Sequence, residues 1–333
     1  MNASVRRGGP TGMDFDVAEL LVEAAVRAPS VHNTQPWRFV LDRDGGIELW
    51  ADRSRLLPEA DPTGRELVIS CGAALAVLML GVRWLGHQPL VTRQPAPDRP
   101  DLLARLTMGP PRPPDGETLD LFVAVADRHT HRGPFDDRPV PPALLDRLRR
   151  LARRRGCRAD LVDDVPTLLR VARLTAAAEV EQRRRWGVRT ERVHWLRTAG
   201  SRELDGMPEA TTAVPPAGLG RLAPRWFESA AYPPAGHGPA AGHLPTTMVL
   251  STGRDDVTAW LLAGEALHEV LLHAACHSVY ASLHTQSLEL PGTRARLAAV
   301  VGGGHPQMLL QLGYADSVPT APRRPPRDVL TAR

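Results

Sequence analysis

Arg128-His129-Thr130-His131-Arg132-Gly133-Pro134-Phe135 sets two arginines four residues apart with a hydroxyl midway between them. Guanidinium forks give charge-assisted bonds to phosphate oxygens, and a threonine hydroxyl adds a neutral donor, so the octet suits a phosphate dianion. Taken alone it reads equally well as an arginine-rich surface turn. A second stretch far upstream narrows the choice: Ala28-Pro29-Ser30-Val31-His32-Asn33-Thr34-Gln35-Pro36-Trp37, a polar loop that follows a helical pattern. The chain has no lysine, so all 41 basic residues are arginines. Any anion site must then use arginine, histidine, backbone N–H groups or a helix N-terminus.

Together the two stretches resemble the nitroreductase family of FMN-binding flavoproteins. The octet is similar to the family's flavin-phosphate motif, and the upstream stretch to its Pro-Ser-x-x-Asn-x-Gln-Pro-Trp motif. In that family the phosphate motif comes first; here the order is inverted. Family members are typically homodimers with two flavins at the interface, each held by the phosphate motif of one subunit and the Pro-Ser loop of the other. In this chain only residues 1–14 precede the first helix, with no phosphate motif among them. In the second half residues 153–158 stand where a Pro-Ser loop would fall, with no match. Each half keeps what the other lost. That pattern resembles the Acg branch of the family, a fused and degenerate pseudo-dimer. Asp61-Pro62-Thr63-Gly64-Arg65-Glu66-Leu67, Ser70-Cys71-Gly72-Ala73-Ala74-Leu75, and Gly304-His305-Pro306-Gln307-Met308-Leu309-Leu310 before Leu312-Gly313-Tyr314 are similar to that branch. The resemblance spans residues 15–93 and 119–330.

The resemblance implies an α+β nitroreductase-like fold: two fused units with mixed β-sheets, packed through long central helices. It implies one non-covalent FMN per chain, with NADH or NADPH as reductant and a nitroaromatic or quinone-like small molecule as acceptor. Arg128, Thr130 and Arg132 would serve the ribityl phosphate and the pyrimidine edge. Pro29 and Ser30 would pack against the ring and hydrogen-bond to it from the other half, with Asn33 and Gln35 bracing that loop. Arg324, just before Pro325-Pro326, aligns best with the family's C-terminal phosphate-binding basic pair, and Arg323 is its neighbour. The chemistry would reside on the flavin, with no catalytic side chain assigned. The alternative is a flavin-sequestering protein whose lid excludes substrate. A complete site within one chain favours a monomer over a homodimer.

Composition agrees with a soluble globular protein: 333 residues, 43% apolar and 23% charged. Net charge +4 admits a nucleic-acid partner without arguing for one. The seven arginines between Arg147 and Arg158 read as the solvated face of an amphipathic helix, since no aromatics interleave. Three dispersed cysteines and the absence of an apolar stretch in residues 1–12 point to a reducing cytoplasm. The apolar run 67–82 is too short for the roughly 20 residues of a membrane span and reads as a core helix. His268, His273, Cys276 and His277 do not set three ligands on one helix face, so no metal is expected.

Periodicity predicts helices over 15–27, 64–85, 142–155, 166–185, 257–276 and 292–300, and strands over 38–41, 47–51, 89–92, 158–162, 248–251 and 307–312. The N-terminal half is drawn at 14–94, a proline-rich linker with a short helical piece over 102–106 at 95–118, and the C-terminal half at 119–330. Residues 198–246, rich in Gly, Pro and Ala, form a lid candidate. The long helices repeat: Gly72, Ala74, Leu75, Leu78 and Leu80 fall opposite Gly264, Ala266, Leu267, Val270 and Leu272. Small residues in register suggest two related units packed through these helices.

Overall fold

The computed structural model describes residues 12–133, 135–209, 222–223, 225, 227, 246–315 and 320–333. The Asp14 carboxylate accepts from the Val17 N–H at 2.9 Å and starts helix α1 (Phe15–Ala25), whose Ala18, Leu21, Val22 and Ala25 face inward. Strands β1 (Trp37–Leu41) and β2 (Ile47–Ala51) form a hairpin whose turn needs Gly45 at φ 72°. Helix α2 (Arg65–Trp84) follows, then β3 (His87–Arg93) and β4 (Leu102–Pro111). The antiparallel order across this sheet is β1-β2-β4-β3.

The second unit repeats the plan. Helix α3 (Gly116–Asp127) leads to α4 (Pro142–Arg154) and β5 (Cys157–Val162). Helices α5 (Val165–Arg184) and α6 (Trp186–His194) and the short paired strands β6 (Leu196–Arg197) and β7 (Met207–Pro208) are inserted next. Strand β8 (Thr246–Thr252), helix α7 (Val257–Ala275), β9 (Tyr280–Leu283), α8 (Gln286–Glu289), α9 (Pro291–Val300) and β10 (His305–Gly313) complete it. The sheet order is β5-β8-β10-β9, the counterpart of β1-β2-β4-β3 with α7 in the place of α2. The last strand, β11 (Leu330–Ala332), crosses back and pairs in parallel with the free edge of β1, Phe39 opposite Leu330. The tail of the second unit thereby finishes the sheet of the first.

The central helices meet where the sequence repeat places them. A Cβ on Gly72 would lie 2.1 Å from the Leu261 carbonyl oxygen, and one on Gly264 would lie 2.0 Å from that of Ile69. Only glycine lets the two backbones approach so closely. Nearly every residue of α2 is buried, from Arg65 to Val82. By length and composition α2 could cross a membrane, yet its apolar surface is spent inside the protein.

Helices and strands over the expected ranges are present, within a few residues at each end. One assignment is corrected. Leu102–Leu106 is not a helical piece but lies in β4, hydrogen-bonded to β2 on one side and β3 on the other. Prolines flank this strand, and Leu102, Leu103, Ala104 and Leu106 are buried, so sheet pairing and burial outweigh the local linker-like composition. The chain leaves the first sheet at Pro111 and enters the second unit at Gly116. Of the lid candidate 198–246, all but 198–209, Leu222, Ala223, Arg225, Phe227 and Thr246 lie outside the described residues.

Candidate functional site

Helix α3 ends at Asp127, and Arg128 leaves it in extended conformation (φ −70°, ψ 110°). Thr130 then bridges to Ala281 of β9, and the His131 N–H donates to the Ala281 carbonyl at 2.9 Å. The octet is thus pinned to the edge of the second sheet. Arg128 is 3% exposed, and its Nη2 donates to the Arg27 carbonyl at 3.0 Å, two residues before Pro29. Its Nε and Nη1 are buried and have no partner among the described residues. Arg132 donates only weakly, to the Met207 sulfur at 3.4 Å. Arg323 bonds through Nη1 to the Ala321 and Pro322 carbonyls at 3.0 Å, and its Nε is a further buried donor without a partner among the described residues.

These three guanidiniums act on one another. Burial first, then Arg323 and Arg132, push the Arg128 pKa down to about 9. Burial, Arg323 and Arg225 bring Arg132 to about 10, and burial with Arg27 brings Arg323 to about 10. Among the described residues none of the three forms an ion pair. Enclosed cations without counter-ions are costly unless an anion joins them.

The Pro-Ser loop lies against this cluster. It is strained: His32, Asn33 and Gln35 have φ of 45°, 54° and 50°, a region that costs a non-glycine residue roughly 1–2 kcal/mol each. A mesh of bonds holds it. Ser30 Oγ accepts from the Gln35 N–H at 3.0 Å, and Ser70 Oγ on α2 accepts from the Val31 N–H at 3.1 Å. Asn33 Nδ2 donates to the Gly206 and Pro322 carbonyls, both at 3.0 Å. Gln35 donates to the Leu204 carbonyl at 2.8 Å and accepts from the Arg324 N–H at 2.8 Å. Asn33 and Gln35 therefore brace the loop, and the Pro322 carbonyl shared by Asn33 and Arg323 ties it to the cluster.

The structure separates the C-terminal arginine pair. The half-buried Arg323 acts on Arg128 and Arg132. Arg324 donates to the Asp328 carbonyl at 2.8 Å, and the charges that act on it are Arg55, Asp52, Asp328 and Asp205. Its Nη1 is a buried donor without a partner among the described residues, and Arg128 and Arg132 are not among the charges that act on it.

The counterpart position across the pseudo-twofold is built differently. Arg155, in the segment that replaces a second Pro-Ser loop, bonds Glu269 at 2.6 Å and the fully buried Glu265 at 3.2 Å. Arg93 closes on Glu265 as a fork, both bonds 2.7 Å. Here the cations are neutralised internally by carboxylates.

Asp61 and Arg65 read from the sequence as capping and pairing on their helix, and Asp61 accepts from the Leu67 N–H at 2.9 Å; sequence reasoning otherwise missed two groups. A buried set of acids sits beside the Pro-Ser loop at the start of α2: burial and Glu289 raise Glu66 to about 8, and burial raises Asp61 to about 6. Burial opposes charge on Glu289 as well, but Arg225 bonds it and brings it down to about 2. The other group is His268 on α7, fully buried with both ring nitrogens unpartnered. A charged or polar residue inside an otherwise apolar helical run was the available signal for Glu66 and His268. Arg225 and Glu289 gave none.

No family model matches the chain. The relative "Putative NAD(P)H nitroreductase Rv3131" of Mycobacterium tuberculosis is 33% identical over 344 residues, covering 97% of this chain and 95% of the relative. The chain belongs to the nitroreductase family. The acg protein of the same organism, described in the same words, is 29% identical over 335 residues, covering 97% of this chain and 98% of its own length. Two solved structures also match: the FMN- and NADPH-dependent nitroreductase NfnB from a Sphigopyxis species (20% identity, TM-score 0.39, 63% of this chain and 97% of that one), and an FMN-bound nitroreductase from Bacteroides fragilis (13%, TM-score 0.38, 61% and 93%).

Proposed function

We propose that this protein is an FMN-dependent oxidoreductase that takes two electrons from NADH or NADPH and passes them to a nitroaromatic or quinone-like acceptor. The observation that carries the reading is the cluster of buried Arg128 with half-buried Arg132 and Arg323, without counter-ions among the described residues and tied to the Pro-Ser loop of the opposite half. The residues fit FMN. A phosphate dianion satisfies Arg128 Nε and Nη1 and Arg323 Nε, which otherwise cost about 1–3 kcal/mol each as unsatisfied buried donors. Thr130 adds a hydroxyl donor at the same edge. Arg132 serves the pyrimidine side, where its charge favours negative density at N1 and O2. Pro29 and Ser30 form the opposing wall, held rigid by Asn33, Gln35 and Arg324. FMN supplies the electron chemistry when bound. The chain's residues bind it, orient its ring and keep the phosphate dry. The names of the relatives support the nicotinamide reductant. The internally neutralised counterpart position supports one flavin per chain and a working monomer.

One observation favours a second reading, a flavin-sequestering protein. Phe227, from the lid candidate, is buried edge-on against the His32 ring of the Pro-Ser loop at 5.4 Å, and Arg225 beside it is fixed to Glu289. Anaerobic absorbance separates the two readings. The enzyme is bleached by NADH or NADPH and recovers with a quinone or nitroaromatic. The sequestering protein is bleached by dithionite and by neither nicotinamide. A purified chain that binds no FMN refutes both.

A further inference from the structure

Helices α5 and α6 are inserted between β5 and β8, and the corner where they meet reads Arg183-Arg184-Arg185-Trp186-Gly187-Val188-Arg189. The protein holds α6 by its inner side. Val188, Glu191 and Arg192 are buried there; the Glu191 carboxylate accepts from the Glu59 and Ala60 N–H groups at 3.0 Å, and Arg192 bonds Glu179 at 2.8 Å. Trp195, just past the helix, packs with Leu57, Ala60 and Val31 of the Pro-Ser loop. The outer side carries Trp186, Arg189, Thr190 and Val193, spaced i, i+3, i+4 and i+7 and therefore on one face. Trp186 is 74% exposed, the largest value among the described large apolar side chains, and Val193 is 47% exposed. The Arg189 guanidinium lies 5.7 Å from the indole centroid.

Arginines frame this tryptophan. Arg170, Arg173, Arg183, Arg184 and Arg185 are exposed, and between residues 170 and 194 Glu181 is the one exposed acid. Arg185 approaches Glu59 at 3.9 Å. The arginines of α4 are different: Arg147 pairs with Glu117 at 2.9 Å, Arg149 pairs with Asp146 at 3.4 Å, and no aromatic stands among them. An exposed apolar side chain by itself is ordinary on a soluble protein. An exposed indole framed by like charges repels a second copy of the same surface and selects an anionic partner. A single nucleic-acid strand is held by several aromatics along a groove. Here one exposed indole is accompanied by exposed valines, Val180 on α5 and Val193 on α6. Valine does not stack on bases, but it enters the boundary between headgroups and acyl chains, where tryptophan also settles and arginines meet anionic lipid.

We propose that the outer face of α5 and α6 docks the protein on an anionic bilayer surface, with Trp186 entering the headgroup boundary and Arg184 and Arg185 meeting the lipid headgroups. Such docking is peripheral and requires no helix to span the membrane. It stands independently of the flavin reading.

Sedimentation of the full chain with vesicles tests the proposal. Wild type should pellet with vesicles of phosphatidylcholine and phosphatidylglycerol, stay in solution with phosphatidylcholine alone, and be released as salt screens the headgroups. Trp186→Ser should weaken binding by about tenfold. Arg184→Gln/Arg185→Gln should weaken it by about fivefold for each arginine removed. Arg153→Gln/Arg154→Gln takes the same charge from exposed positions on α4 and should change binding little. Equal losses in the two double variants would mean attraction by net charge and overturn the site. Wild type that stays in solution with anionic vesicles overturns the proposal. So does tight binding of a single-stranded oligonucleotide that is lost in Trp186→Ser without any vesicle binding, which would assign the patch to nucleic acid. Should Trp186→Ser fail to fold, brominated phosphatidylglycerol decides on wild type: docking quenches part of the tryptophan fluorescence, and the absence of quenching overturns the proposal.

Discussion

Arg128→Ala is the sharpest perturbation of the proposed site. Arg128 keeps one bond to the protein, to the Arg27 carbonyl, and has two buried donor atoms, Nε and Nη1, without partners. A hydrogen bond to a charged group contributes roughly 1.5–3 kcal/mol, so two to a phosphate dianion amount to about 3–6 kcal/mol. That corresponds to a loss of about 10²–10⁴ in FMN affinity, at 1.4 kcal/mol per tenfold. The lower end is the better expectation, because removing a buried cation also relieves its repulsion with Arg132 and Arg323 in the flavin-free protein. Arg147→Ala is the control. That arginine is exposed on α4 and its ion pair with Glu117 at 2.9 Å lies at the surface, where such pairs contribute about 0–1 kcal/mol. Flavin-free chain is titrated with FMN and riboflavin. Arg128→Ala should lose most of its FMN affinity and far less of its riboflavin affinity, and Arg147→Ala neither. Equal FMN affinity in the two variants would refute the placement of the phosphate.

Other outcomes follow from the same geometry. Arg323→Ala should weaken FMN binding by about tenfold or more, since its charge acts on both Arg128 and Arg132, with Arg324→Ala, beside Arg55, Asp52, Asp328 and Asp205, acting less on phosphate and more on loop stability. The reverse ranking of FMN-to-riboflavin ratios would contradict the separation of the pair. Burial and Glu289 push the Glu66 carboxyl up to about 8, above the roughly 4.3 of an unperturbed glutamate and against the pull of Arg65, which bonds it at 2.7 Å. The folded chain therefore holds an extra proton between those values, and the stability it contributes is full below the lower one and lost as pH rises through about 8. Glu66→Gln should flatten the fall in urea stability between about pH 5 and about pH 8, and an unchanged slope would exclude Glu66 as its source. Gly72→Ala puts a methyl group 2.1 Å from the Leu261 carbonyl and should destabilise by about 1–3 kcal/mol or more, whereas Gly116→Ala meets nothing. Equal melting temperatures for these two variants would argue against backbone contact between α2 and α7.

Much of this arrangement was legible in the residues because it is written locally. The α2 and α7 patterns carry helical period and small residues in register, and Gly72 and Gly264 do meet. The inverted motifs required a composite site, and the Arg27–Arg128 and Asn33–Pro322 bonds bring its parts together. What was not legible depends on long-range pairing. β4 looked like a linker because proline content is local, whereas its stability comes from β2 and β3. β11 is three residues long and exists through its pairing with β1, at the other end of the chain. Arg323 and Arg324 are adjacent in sequence, and the course of the tail past Gln35 decides which of them acts on Arg128 and Arg132.

Flavin stoichiometry against chain mass in solution tests the central claim most directly. Absorbance of released flavin, compared with protein mass from light scattering on the same sample, should give one FMN per monomeric chain. Two FMN per chain, or one FMN only in a dimer of chains, would contradict a single composite site formed by fusion of two complementary halves.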